Sequence, residues 1–137
     1  MSERQAVETE PASLIEVTRE GPVAIVTLNN PRRRNAMGRH MRQLLRDTIH
    51  RLMIDDPESR AIVLTGAGEH FCAGADISEM TKRTILQSRE ILAESCAVVR
   101  DMLAGPKPVV AAVEGVAFGA GLSLAVATDY VVAASTA

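Results

Sequence analysis

An apolar, β-branched run that turns through glycines into a helix-forming run restricts the fold of this chain more than any other feature. Residues 108–113 read Pro-Val-Val-Ala-Ala-Val and predict a short buried strand. Residues 114–121 include Gly115, Gly119 and Gly121, and residues 122–127 form helices readily. Such a strand-to-helix turn presents unpaired backbone N–H groups and the positive end of a helix dipole at one point. The turn suits an anion, although close packing alone would also explain its glycines.

A second stretch repeats this pattern earlier in the chain. Residues 60–65 read Arg-Ala-Ile-Val-Leu-Thr and predict another strand, after which residues 66–77 form a loop rich in glycine and alanine. Gly66 and Gly68 also suggest a dinucleotide-binding loop, but Phe71 stands where that motif needs its third glycine. We therefore favour the interpretation in which each loop directs one backbone N–H at a single oxygen atom.

The remaining periodicities predict that strands and helices alternate along the chain. Residues 14–28 alternate apolar and polar side chains around Glu20-Gly21-Pro22 and predict a β-hairpin whose second strand is the more buried. Residues 37–53 predict an amphipathic helix, and residues 130–132 predict a last strand. A further helix is predicted over residues 85–103 and is expected to end at Gly105-Pro106. Its predicted buried stripe consists of Ile85, Leu92, Cys96, Val99 and Leu103, widened by Ser95 and Met102. Such alternation predicts an α/β domain.

Composition excludes several classes of function. A net charge of -2 and an aromatic content of 2% supply neither a basic surface nor stacking side chains for nucleic acid. No run approaches the roughly 18 apolar residues of a membrane span, and no secretory signal begins the chain. Cys72 and Cys96 fit neither a metal cluster nor a disulfide framework. We therefore expect a cytoplasmic protein without a metal ion, in which residues 1–13 are a disordered lead-in and residues 14–137 are the folded core.

Three blocks in this order and spacing resemble the enoyl-CoA hydratase/isomerase family, also called the crotonase family. They are Asn30-Pro31 with Asn35-Ala36, Phe71-Cys72-Ala73-Gly74-Ala75-Asp76-Ile77, and Gly115-Val116-Ala117-Phe118-Gly119-Ala120-Gly121. The resemblance covers Leu14 to the last residue. It implies a crotonase-like spiral of strand-strand-helix turns, incomplete in this chain, because members of the family are about twice as long. The chain is thus expected to be the N-terminal half of a larger unit.

The same resemblance implies an acyl-CoA enzyme that stabilises a thioester enolate with two backbone N–H groups, those of Ala73 and Ala120. Coenzyme A would enter as part of the substrate, with no separate cofactor. Family members are commonly trimers or pairs of trimers, which implies a homo-oligomer. The substrate or coenzyme A contacts implied by the matching positions are those of Arg34, Ala36, Ala73, Gly74, Ala75, Asp76, Ile77, Gly119, Ala120 and Ser123.

The residue at position 123 departs from the family pattern. Hydratases of the family carry a glutamate there, and a serine hydroxyl cannot take up the proton that a carboxylate takes. The resemblance therefore implies isomerisation of an enoyl-CoA or another hydratase-related step, with an acid located beyond these residues. A truncated acyl-CoA-binding fragment without catalysis, and an acyl-CoA hydrolase or dehalogenase, remain as alternatives. A serine hydrolase is disfavoured because Ala125 stands where the Gly-x-Ser-x-Gly motif ends in glycine.

Overall fold

A computed structural model describes residues 13–81 and 83–137. Its strands are β1 (Ile15–Glu20), β2 (Val23–Leu28), β3 (Ala61–Gly66), β4 (Val109–Val113) and β5 (Tyr130–Ala133), and its helices are α1 (Arg39–Ile54), α2 (Ile85–Ala104) and α3 (Ala120–Val126). The alternation of strands and helices is as predicted. The expected lead-in lies outside the described residues except for Ser13.

The five strands form one sheet in the order β1-β2-β3-β4-β5. The hairpin β1–β2 is antiparallel, and every later pair is parallel. Each parallel connection therefore passes through a helix, with α1, α2 and α3 taken in turn. Because parallel neighbours end at the same edge of a sheet, the loops after β3 and β4 emerge side by side.

The core lies between the sheet and α1. Strand β2 alternates half-buried and fully buried residues, as the predicted hairpin requires. Val26 and Leu28 of β2 and Leu64 of β3 are fully buried, and they pack in one cluster with Leu45 and others from α1. A fully buried side chain of this kind contributes about 2 kcal/mol to folding through the hydrophobic effect. The core thus holds β3 firmly at the point where the first glycine-rich loop begins.

The predicted buried stripe of α2 is wrong for most of its apolar residues. The structure exposes Ile85 (82%), Leu92 (64%), Leu103 (65%) and Cys96, whereas Val99 is half-buried against the core and Met102 is buried as predicted. Val98, which was not in the predicted stripe, is buried as well. Apolar residues occur on two sides of this helix, so their period alone could not select the buried side. The contact of α2 with α1 determines which side of the helix is buried.

The ends of α2 agree with the prediction better than its buried face does. Thr84 begins the helix with a capping box, since its hydroxyl accepts from the Gln87 N–H at 3.2 Å while its own N–H donates to the Gln87 side chain at 3.0 Å. Gly105 ends it, as predicted. Within residues 13–81 and 83–137, no helix is long and apolar enough to span a bilayer.

Candidate functional site

The two glycine-rich loops lie against each other. We call residues 67–77, which follow β3, the first loop, and residues 114–119, which follow β4, the second loop. The Phe71 N–H donates to the Glu114 carbonyl at 2.8 Å, and the Cys72 N–H donates to the Val116 carbonyl at 2.9 Å. The Phe118 N–H donates back to the Cys72 carbonyl at 3.0 Å. These bonds extend the parallel pairing of β3 and β4 into the loops and fix their register.

Two glycines allow the loops to approach this closely. Gly74 has a φ of +102°, and a Cβ there would stand 2.8 Å from the Phe118 carbonyl oxygen and 3.6 Å from the Ala120 nitrogen. A Cβ at Gly121 would stand 2.2 Å from the Cys72 carbonyl oxygen. A side chain at either position would separate the loops. The small residues of the two motifs are therefore explained in part by contact between the loops themselves.

The backbone N–H of Ala73, predicted as the first donor to a thioester oxygen, already has an acceptor. It donates to the Arg34 carbonyl at 2.9 Å. Arg34 and Asn35 precede α1 and have φ angles of +52° and +56°, which turn the chain so that this carbonyl faces the first loop. The Ala73 N–H is thus used to hold the segment before α1 against the first loop.

The N–H of Ala75 is in a different position. On either side of it, the Gly74 carbonyl accepts from the Met37 N–H at 2.7 Å, and the Asp76 N–H donates to the Met37 carbonyl at 3.1 Å. In this parallel bridge the polar groups of Ala75 point away from Met37. No residue that the structure describes accepts from the Ala75 N–H. The candidate donor on the first loop therefore moves from Ala73 to Ala75.

Ala120 remains a candidate for the second donor. It is the first residue of α3, and within the described ranges its N–H donates to no acceptor. Gly119, just before it, has a φ of +54°, and a Cβ there would stand 3.9 Å from the Gly74 Cα. Among the described residues, unpartnered N–H groups thus directly follow Gly74 in the first loop and Gly119 at the end of the second loop.

A cleft of about 370 Å³ opens beside the first loop. Several residues that were predicted to contact coenzyme A line it, but Arg33 lines it in place of the predicted Arg34. Residues 32–34 are all arginine, so their side-chain chemistry does not distinguish which of them lines the cleft. The full lining consists of Arg33, Ala36, Ala73, Ala75, Asp76, Ile77 and Ser78.

Asp76 stabilises the wall of this cleft. Its carboxylate accepts from the Ser78 N–H at 3.0 Å and the Ser78 hydroxyl at 2.6 Å, and it forms an ion pair with Arg33. The hydrogen bonds from Ser78, followed by the contact with Arg33, lower the pKa of the Asp76 carboxyl. Asp76 is therefore ionised at neutral pH, where it holds Arg33 at the cleft and has no proton to donate.

Asn35 and His70 are structural residues of the site whose roles the sequence did not predict. The Asn35 side chain is fully buried, donates to the carbonyls of Ala67 (3.0 Å) and His70 (2.7 Å), and accepts from the Asn30 N–H (2.8 Å). The ring Nδ1 of His70 accepts from the Val116 N–H at 3.1 Å. Only the presence of Asn35 in a family-like motif could have indicated the first role. The second role had no signal in the sequence.

Ser123 does not have the surroundings of a nucleophile. Its hydroxyl donates to the Gly119 carbonyl one turn earlier in α3, at 3.2 Å. Its side chain is exposed at an apolar groove of about 470 Å³ whose lining includes no histidine and no carboxylate among the described residues. The groove is lined by Leu92, Ser95, Cys96, Val99, Arg100, Leu103, Ala104 and Ser123.

Comparison with known proteins agrees with this architecture. The family model for enoyl-CoA hydratase/isomerase matches residues 18–137. A short-chain-enoyl-CoA hydratase of Clostridium acetobutylicum is 39% identical over 120 residues, which are 87% of this chain and 46% of that protein. A crotonyl-CoA hydratase of Syntrophomonas wolfei is 36% identical over 120 residues, again 87% of this chain and 46% of that protein.

Solved structures give the same result for the fold. The crystal structure of an enoyl-CoA hydratase from Bacillus anthracis matches with a TM-score of 0.86 and 31% identity, covering 91% of this chain and 49% of that one. An enoyl-CoA hydratase from Polaromonas matches with a TM-score of 0.84 and 38% identity, covering 90% of this chain and 49% of that one. The chain spans about half the length of the relatives that it matches. By its motifs, its fold and its matched residues, this chain belongs to the enoyl-CoA hydratase/isomerase family.

Proposed function

We propose that this chain supplies the acyl-CoA site of an enzyme that forms a thioester enolate, and that the reaction is enoyl-CoA isomerisation or a hydratase-related step. The observation that supports this proposal most directly is that, among the described residues, the backbone N–H groups of Ala75 in the first loop and of Ala120 at the start of α3 have no acceptor, next to two loops in contact. Membership of the family supports an acyl-CoA substrate.

The chemistry needs such donors because enolate formation moves negative charge onto the thioester carbonyl oxygen. Backbone N–H groups that already face this oxygen stabilise the charge as it develops, without reorganisation. One donor of this kind lowers the barrier by about 3 kcal/mol. The N–H of Ala120 benefits further because it stands at the positive end of α3. Both donors belong to the backbone, so the alanine side chains need only be small.

The coenzyme A portion would lie in the cleft beside the first loop. Arg33 is more than half exposed there while it remains paired with Asp76, so its guanidinium can also reach a phosphate of the coenzyme. Arg34 is exposed close by and offers a second guanidinium. Ala36, Ala73 and Ile77 supply the rest of the cleft wall.

The proton-transfer group must come from elsewhere, because Ser123 holds the position at which hydratases of the family carry glutamate. The relatives are about twice as long as this chain. We propose that the acid lies in a segment beyond these residues, which favours isomerisation over hydration by a pair of carboxylates. The alternative is an acyl-CoA-binding chain without catalysis, and it is favoured by the same serine.

The test uses the protein at the length that its own cell makes, and it removes one backbone N–H group at a time. Replacing Ala75 or Ala120 by lactic acid turns the peptide N–H into an ester oxygen and leaves the methyl side chain in place. We expect turnover of 2-enoyl-CoA and 3-enoyl-CoA thioesters to fall by about 10² to 10³ at each position. The same replacement at Ala73, whose N–H is bonded to Arg34, should lower turnover less.

The outcomes separate the hypotheses. Unchanged turnover after replacement at Ala120 would contradict the oxyanion site altogether. An equal fall for Ala73 and Ala75 would contradict the choice of donor on the first loop. Binding of the thioesters without any turnover by the parent protein would support the non-catalytic alternative.

A further inference from the structure

We propose that His70 is a positioning residue for the oxyanion site: its neutral imidazole holds the second loop in place through the Val116 N–H. This inference rests on the proposed function, because it concerns the loop that leads to Ala120. His70 touches neither proposed donor directly, and it would act through the path of the backbone.

The peptide groups of Val116 are held on both sides by consecutive parts of the first loop. The Val116 N–H donates to the Nδ1 of His70 at 3.1 Å, and the Val116 carbonyl accepts from the Cys72 N–H at 2.9 Å. Two residues later, the Phe118 N–H donates to the Cys72 carbonyl at 3.0 Å. Ala120 follows after two more residues, so these bonds determine where its N–H lies relative to the first loop.

The backbone of His70 is itself held in place, and Gly115 leaves space beside its ring. The carbonyl of His70 accepts from the buried Asn35 side chain at 2.7 Å. On its other side, a Cβ at Gly115 would stand 2.4 Å from the His70 Nδ1 and 2.2 Å from the Glu69 carbonyl oxygen. Gly115 has a φ of +55°, so its backbone conformation also favours glycine. The absence of a side chain at position 115 leaves room for the ring to reach the Val116 N–H.

The bond also defines the tautomer of the ring. Nδ1 can accept a hydrogen bond only through its lone pair, so the proton of the neutral imidazole is on Nε2. An asparagine Oδ1 can accept in the same region, whereas a leucine of similar size cannot. Comparison of His70→Asn with His70→Leu therefore separates the hydrogen bond from the packing of the side chain.

The experiment measures kcat and KM for an enoyl-CoA thioester on which the parent protein is active. We expect His70→Leu to lower kcat by roughly tenfold to a hundredfold, since a displacement of about 1 Å at a reacting group has an effect of this size. KM should change little, because the cleft residues are untouched. His70→Asn should recover most of the lost kcat. His50→Ala, which removes an exposed imidazole on α1, is the control and should leave kcat unchanged.

Two measurements that do not depend on activity complete the test. Nitrogen chemical shifts of the ring should show an unprotonated Nδ1 and a protonated Nε2 in the parent protein. The Val116 amide should exchange with solvent faster in His70→Leu than in His70→Asn. A protonated Nδ1, or equal kcat values in the two variants, would overturn the proposal. If the leucine variant does not fold, a kcat near that of the parent in His70→Asn supports the proposal, and a kcat reduced by tenfold or more refutes it.

The outcome for His70 is distinguishable from that for the oxyanion site. If loss of the Ala120 N–H reduces turnover while His70→Leu does not, the proposed function stands and the role of His70 falls. If neither change affects turnover, the oxyanion site itself is wrong.

Discussion

Replacing Asn35 by aspartate tests whether one buried amide holds the first loop in place. The substitution Asn35→Asp keeps the shape of the side chain and its tolerance of a positive φ. The acceptor for the Asn30 N–H also remains. The two N–H bonds to the carbonyls of Ala67 and His70 are lost, and a carboxylate oxygen takes the place of the donor between them.

The expected destabilisation follows from those two bonds. A buried carbonyl left without a donor costs about 1 to 3 kcal/mol, so two of them predict a loss of about 2 to 6 kcal/mol in the free energy of unfolding. Repulsion by the carbonyls and burial raise the pKa of the introduced carboxyl above its value in the unfolded chain. A raised folded-state pKa means that stability is best retained at low pH and is lost as the pH rises. The difference between variant and parent should therefore grow from roughly pH 4 to pH 8.

Urea unfolding of both proteins across this pH range would measure the difference. Asn30→Asp is the matched control, because the Asn30 side chain makes a single long contact, 3.5 Å from its Nδ2 to the Ala36 carbonyl. It should cost less than about 1 kcal/mol. A stability of Asn35→Asp equal to that of the parent, or a difference that shrinks as the pH rises, would refute the reasoning.

Two further predictions concern stability in acid and the reactivity of thiols. Asp56 accepts hydrogen bonds from Ser59 and Arg19, which hold the pKa of its carboxyl well below its usual range. The ionised carboxylate therefore stabilises the folded protein above about pH 4, and this contribution to the free energy of unfolding is lost as the pH falls. Thermal unfolding should accordingly show that Asp56→Asn is less stable than the parent at neutral pH by about 2 kcal/mol and that this deficit narrows towards pH 3. Burial raises the pKa of the Cys72 thiol, whereas Cys96 is exposed, so a thiol reagent should label Cys96 alone in the native protein, as peptide mass spectrometry would show. Labelling of native Cys72 at a similar rate would mean that the two loops separate readily.

The order of elements could be predicted because each element has its own local pattern. The hairpin follows from alternation around Gly21, α1 from a helical period, and the end of α2 from the Gly105-Pro106 pair. The buried face of α2 could not be predicted, since apolar residues lie on two sides of that helix. Its contact with α1 joins residues about 50 positions apart, such as Gln43 and Glu94.

The sequence by itself determined the strand-loop-helix alternation, the family and the two loops that form the candidate site. It did so because glycines, apolar periods and short motifs act through neighbouring residues. The tertiary structure alone decided which N–H groups remain unpartnered. The Ala73 N–H is used by the carbonyl of Arg34, 39 residues earlier, and the Val116 N–H by the ring of His70, 46 residues earlier. Hydrogen bonds between such distant residues depend on how the folded segments pack against each other, and local sequence patterns do not predict that packing.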